Sequence, residues 1–114
     1  MKNILFVCSA NKQRSKTASD YFSEKLLDFN FDSAGTNHKI CNKEGTQPLT
    51  MELMNWADLV IVMEEKHRKL IVENGGSEFG KKIKVLSIPD KFKYYQKELI
   101  DLLEQKVKPL MINI

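Results

Sequence analysis

The chain has 114 residues, which suits one domain spanning residues 1–114. Hydrophobic residues make up 42% and charged residues 29%, as in globular proteins that bury a core, and a formal charge of +3 is too small to indicate a nucleic-acid partner. Two cysteines, Cys8 and Cys41, exclude a disulfide framework and favour the reducing cytoplasm. No signal-like segment or long apolar run is present, so the sequence predicts neither export nor a membrane partner.

Four apolar runs alternate with helical patterns along the chain. The predicted strands are residues 3–8, 29–34 (followed by Gly35), 59–63 and 82–87. Helices are predicted at 14–28, in a short segment capped by Thr50, at 64–73, and after a loop at 88–95. Residues 37–48 are predicted to be a polar loop.

This alternation predicts an α/β fold in three layers, with a four-stranded parallel sheet covered by helices on both faces. Right-handed crossovers favour the strand order 2-1-3-4, which reverses direction between the first and third strands. Ligands bind at such a switch point, beyond the carboxyl ends of the strands. Cys8 and the segment 87–90 both lie at that edge, so the topology predicts a site there.

The segment that joins the first strand to the first helix carries the strongest chemical signal. Cys8 ends the strand, and Arg14 and Ser15 begin the helix. A short loop running into a helix can aim its backbone N–H groups at one anion, and the same electrostatic field favours thiolate over thiol. The planar guanidinium of Arg14 can hold two phosphoryl oxygens, and the Ser15 hydroxyl can donate to the sulfur. The predicted phosphate-binding residues are Ser9, Ala10, Asn11, Lys12, Gln13 and Arg14.

These residues resemble the phosphate loop of the low-molecular-weight protein tyrosine phosphatases, and Asn11 matches that family's loop asparagine. Two further segments are similar to its second and third strands, at 32–36 and 57–63. The whole chain most resembles a short bacterial subgroup of the family. The resemblance implies a flavodoxin-like, phosphotyrosine phosphatase I-like fold.

The segment Asp90-Lys91-Phe92 resembles the family's Asp-Pro-aromatic element. The resemblance implies that Asp90 is the general acid and that Phe92 is a pocket wall. Packing of Phe92 between the last helix and the sheet stays open as an alternative. Asp58 and Asp32 are the rival carboxylates for the acid role. The chain departs from the family pattern at Lys16 and Lys91, where prolines are usual.

The predicted function is hydrolysis of phosphotyrosine or a related aryl phosphate monoester through a cysteinyl-phosphate, without metal or cofactor. The expected partner is a phosphorylated protein or a small aryl phosphate. Two alternatives remain: a non-catalytic phosphate or phosphoprotein binder, and an arsenate reductase, which would need Cys41 as a redox relay.

Three further features receive simpler interpretations. Cys41 is expected to be a spectator thiol in the polar loop, with a resolving role for Cys8 as the alternative. His38 and His67 are expected to be solvated. The apolar tail at 110–114 is expected either to pack back on the domain or to support a weak homodimer.

Overall fold

The computed structural model describes residues 1–112. A four-stranded parallel sheet in the order β2-β1-β3-β4 forms its centre, which confirms the predicted α/β fold and strand order. The strands are β1 (Lys2–Cys8), β2 (Phe29–Gly35), β3 (Leu59–Val62) and β4 (Ile83–Val85).

Five helices connect and flank these strands within the described part of the chain. They are α1 (Arg14–Lys25), α2 (His38–Glu44), α3 (Met51–Trp56), α4 (Glu65–Ile71) and α5 (Lys97–Met111). A π-helical turn (Val72–Gly76) and a 3₁₀ turn (Ser77–Lys82) follow α4. No helix within residues 1–112 has the length and apolar character needed to cross a membrane.

Alternate residues of β1 and β3 face two separate apolar clusters, because successive side chains of a strand point to opposite faces. On one face, Phe6 and Ile61 belong to a cluster that contains residues of α1 and α5. On the other, Val7 and Val62 join Met54 of α3 and Ile71 of α4. Both faces of the central strands are therefore buried, as their continuous apolar sequence predicts.

The segment between β2 and β3 differs from the polar loop that the sequence predicts, because it contains α2. The Oδ1 atom of Asn37 accepts a hydrogen bond from Ile40 N at 3.1 Å and caps the helix. Gly45 ends the helix in the left-handed region, at φ 72°. Cys41 alone is buried in α2, so the helix lacks the apolar stripe by which a helix is usually found in a sequence.

The C-terminal tail packs on the domain as far as the structure describes it. Leu110 packs against the apolar cluster that contains residues of α1 and α5, and Met111 is buried. Ile112 is exposed. The rest of the predicted apolar tail, residues 113 and 114, lies outside the described residues.

Candidate active site

The predicted phosphate loop, residues 8–15, begins where β1 ends in the middle of the sheet. Cys8 is buried and pairs in register with Gly35 of β2. Asn11 has a φ of 52°, a left-handed conformation that asparagine tolerates better than most residues. The side chain of Gln13, the residue at the N-cap of α1, makes no capping hydrogen bond. The loop therefore leaves the positive end of α1 open to an anion.

Ser15 contacts both the nucleophile candidate and the loop asparagine. Its Oγ lies 2.9 Å from the Cys8 Sγ and 2.9 Å from the Asn11 Oδ1. A hydroxyl has one hydrogen, so it can donate to only one of these neighbours at a time. With Cys8 as a thiol, the sulfur can donate to Ser15 while Ser15 donates to Asn11. With Cys8 as a thiolate, the Ser15 hydrogen turns to the sulfur.

Arg14 is the largest fully buried side chain of the described residues, and it is held from two sides. Its Nη1 donates to the Glu64 Oε2 at 2.5 Å and to the Ile88 carbonyl at 2.9 Å. Burial of a guanidinium is costly unless the charge is paired, and Glu64 supplies the pair. The hydrogen bond from Arg14 in turn lowers the pKa of Glu64.

Asp90 approaches the same guanidinium from the loop between β4 and α5. Its Oδ1 lies 3.8 Å from the Arg14 Nε, and its side chain is 59% exposed. The loop is fixed at both ends, because Ile88 accepts from Arg14 and the Tyr95 N donates to the Thr17 Oγ1 at 2.8 Å. Asp90 is thus an accessible carboxylate beside the buried arginine.

The other carboxylates considered from the sequence lie elsewhere. The Asp58 Oδ2 accepts from the Asn3 N at 2.8 Å, near the start of β1 and therefore at the opposite edge of the sheet from Cys8. The Asp32 Oδ1 accepts from the Gln47 side chain on the outer strand β2.

Phe92 is buried and belongs to the cluster that includes Ile88 and Leu99. The Nζ of Lys91 lies 5.5 Å from the centre of its ring. Its role as a pocket wall stays a prediction. Tyr94, an exposed aromatic of the same loop, borders a cleft of about 450 Å³ together with Asn11 and Lys12.

His67 is fully buried, so the expectation that it is solvated is wrong. It occupies the third position of α4, where its Nδ1 accepts from the Glu64 N at 3.0 Å. Its Nε2 lies 2.9 Å from the Ser9 Oγ. Burial, and next the positive charge of Arg14, lower the pKa of His67 from 6.5 to about 4, so the imidazole is neutral at neutral pH.

Glu64 and His67 are thus residues of the candidate site that the sequence interpretation missed. Both follow β3 directly, at the same sheet edge as Cys8, and that position is the signal that could have drawn attention to them.

The back of the phosphate loop rests on α2 and the residues after it. The Thr46 Oγ1 donates to the Ala10 carbonyl at 2.5 Å, and the buried Cys41 Sγ lies 3.5 Å from the same oxygen. Gly35 makes this approach possible, because a β-carbon there would lie 2.5 Å from the Cys41 Sγ and 2.6 Å from the Ser9 carbonyl. Cys41 is therefore a free thiol packed under the loop rather than a residue of a polar loop.

No family model matches the chain, and no curated protein does. Solved structures do match. The YwlE arginine phosphatase from Geobacillus stearothermophilus is 25% identical, with a TM-score of 0.73 over 98% of this chain and 96% of that one. A YwlE arginine phosphatase mutant with serine for the active-site cysteine, and that serine phosphorylated, is 26% identical, with a TM-score of 0.72 over 97% of each chain.

The tyrosine phosphatase Wzb from Escherichia coli K30, in complex with phosphate, is similar in fold. Its TM-score is 0.79 at 23% identity, over 99% of this chain and 98% of that one. These matches run over nearly the whole chain, as the sequence motifs do. The resemblance predicted from the motifs is thus confirmed by structure, since the chain is similar over nearly its whole length to solved phosphatases of the low-molecular-weight type.

Proposed function

We infer that the chain is a cysteine-dependent phosphatase that hydrolyses phosphate monoesters through a cysteinyl-phosphate. The observation that carries this function is the pairing of a buried thiol, 2.9 Å from the Ser15 hydroxyl, with a buried arginine at the start of the same helix. A structural role for that arginine would not require burial at a helix N-terminus, where the helix dipole disfavours a cation. Glu64 pairs with one nitrogen of the guanidinium, and a phosphoryl group bound at the same helix N-terminus accounts for placing the arginine there.

Two chemical steps follow from this arrangement. The Cys8 thiolate attacks phosphorus, so that an S–P bond forms as the P–O bond to the leaving group breaks, and Asp90 gives its proton to the departing oxygen. Asp90, now a carboxylate, takes a proton from water as that water attacks phosphorus. The S–P bond then breaks, which releases inorganic phosphate and returns the thiolate.

Arg14 and the loop amides hold the equatorial oxygens of the phosphoryl group through both steps. The hydrogen bond to Glu64 fixes the orientation of the guanidinium plane. The other N–H groups of Arg14 remain for the phosphoryl oxygens. Ser15 stabilises the thiolate before attack and again when sulfur leaves the phosphorus.

The proposed substrate is phosphotyrosine, on a protein or as a small molecule, or a related aryl phosphate. Phosphoarginine is a second candidate, because the arginine phosphatases are similar to this chain over nearly its full length. Both substrates can transfer phosphorus to Cys8 and differ in the leaving atom, oxygen or nitrogen. A comparison of kcat/KM on phosphotyrosine and phosphoarginine decides between them.

Replacement of the nucleophile tests the function itself. Cys8→Ser should lower turnover of nitrophenyl phosphate by at least about 10⁴-fold, the scale seen when hydrolases lose a covalent nucleophile. It should still bind orthovanadate, because Arg14 and the loop amides remain. A variant that keeps substantial turnover would contradict the cysteinyl-phosphate.

Cys41→Ser is the matched control for that experiment. If Cys41 only packs under the loop, this variant keeps turnover far above that of Cys8→Ser. A wild-type protein that binds vanadate without hydrolysing any phosphate would instead identify a phosphate binder. Thiol-dependent reduction of arsenate that is lost in Cys41→Ser would identify an arsenate reductase.

A further inference from the structure

Ser9 and His67 form a partly buried contact that the proposed mechanism does not use. Ser9 directly follows Cys8, and its Oγ lies 2.9 Å from the Nε2 of His67, on the helix after β3. His67 has no exposed surface, whereas Ser9 is partly exposed at the loop. The histidine therefore reaches the loop from inside the protein.

The second ring nitrogen of His67 determines where its proton lies. The Nδ1 accepts a hydrogen bond from the backbone N of Glu64 at 3.0 Å, so it needs a free lone pair. A neutral imidazole then carries its hydrogen on Nε2, which makes Nε2 the donor and the Ser9 Oγ the acceptor. The hydrogen of the Ser9 hydroxyl is consequently not used in this contact.

The backbone of Ser9 is fixed independently of its side chain. Its carbonyl accepts from the Asn37 N at 2.9 Å, and the adjacent Gly35 leaves room for this close approach. With the backbone and the Oγ lone pair both engaged, the hydroxyl hydrogen remains for a ligand in the loop. We propose that His67 is a positioning residue, which holds the Ser9 hydroxyl as a donor to the phosphoryl group bound over Cys8.

This inference rests on the proposed function for its turnover assay but not for its binding assay. Orthovanadate is the probe, since it presents phosphate-like oxygens to the loop without a leaving group. Ser9→Ala should weaken vanadate affinity and lower kcat/KM for nitrophenyl phosphate by about tenfold, the effect of one hydrogen bond to a charged group. Ser9→Thr keeps a hydroxyl and should restore most of both.

The role of His67 is tested by a double-mutant cycle. His67→Asn keeps an acceptor for the Glu64 N but is too short to donate to Ser9, so it should lose about as much as Ser9→Ala. Combined with Ser9→Ala it should cost nothing further, because both changes remove the same donor. His67→Gln, whose longer amide can still donate, should retain more vanadate affinity than His67→Asn.

His38→Asn is the matched control, since His38 is exposed and contacts the Leu49 carbonyl, and it should leave vanadate affinity unchanged. Wild-type vanadate affinity in Ser9→Ala overturns the proposal, whether or not the His67 variants fold. Losses that add in the double mutant also overturn it. If wild type binds vanadate but hydrolyses nothing, the proposed phosphatase function fails while the vanadate series still decides this inference.

Discussion

The phosphate loop of residues 8–15 is local, whereas the residues that face Arg14 from other elements, Glu64, Ile88 and Asp90, form what we call the wall. The two regions differ in how far apart along the chain their contacting residues lie. Within the loop, Cys8 and Ser15 meet across seven positions. Arg14 meets Glu64 across 50 positions and Ile88 across 74. The loop is a local structure between one strand and one helix, whereas the wall exists only after β3 and β4 have joined the sheet. The proposed nucleophile and the proposed anion-binding loop thus come from one local segment, whereas the alignment of the arginine depends on the whole fold.

The largest effect that tests this comparison comes from the residue shared by both regions. Arg14→Lys keeps a positive charge but loses the fork that contacts Glu64 and, in the proposed mechanism, holds two phosphoryl oxygens. We expect kcat/KM on nitrophenyl phosphate to fall by about 10³- to 10⁵-fold, the range for arginines that stabilise phosphoryl transfer. In Glu64→Gln, kcat/KM should fall much less, because the amide oxygen still accepts a hydrogen bond from the guanidinium. Equal losses of kcat/KM in the two variants would mean that the alignment of Arg14 by Glu64, and not the bidentate contact of its guanidinium, determines the rate.

The next largest effect tests Asp90. This residue lies near the site only because the fold places the loop between β4 and α5 beside Arg14. Asp90→Ala should slow hydrolysis of an alkyl or unactivated aryl phosphate by about 10²- to 10⁴-fold, the usual contribution of general acid catalysis. Nitrophenyl phosphate should be affected less, because its leaving group needs little protonation. Asp58→Asn is the control, since Asp58 lies at the opposite edge of the sheet. If Asp90→Ala slows both esters equally, Asp90 positions the loop and does not deliver a proton.

The smallest effect concerns stability and pH. Burial and the charges of Arg14 and Lys66 lower the pKa of His67 to about 4, against the opposing charges of Glu64 and Asp90. As pH falls from about 6.5 to about 4, His67 therefore takes up a proton in the unfolded state before it does so in the folded state. Across that window the free energy of unfolding should fall by at most about 3 kcal/mol through this group, and above pH 6.5 no such loss occurs.

Urea unfolding of wild type and His67→Gln between pH 7 and pH 4 measures this contribution. Other groups titrate in both proteins, so the difference between the two curves isolates His67. The difference should be steepest between pH 6.5 and 4 and flat above. Parallel curves throughout would show that His67 is not a buried neutral group.

Local features of the sequence were sufficient for the sheet and the loop. The apolar runs at β1 and β3 have no polar alternation because both faces of those strands are buried, and this alone predicts a covered parallel sheet. Helix α1 ends at Lys25 rather than near residue 28, and β4 is limited to Ile83–Val85. A left-handed Ser87, with φ 58°, follows β4, and no periodic pattern could have indicated it.

The sequence by itself determined the strand order and the spacing of Cys8, Arg14 and Ser15, because hydrophobic periodicity and a strand–loop–helix junction are properties of neighbouring residues. Only the tertiary structure decided that His67 and Cys41 are buried. Each sits on a short helix with mainly polar neighbours, and its burial comes from contact with the loop at Ser9 or Ala10, far away in the sequence. Such burial depends on which elements the fold brings together, and the composition of the neighbouring residues in the sequence does not indicate it.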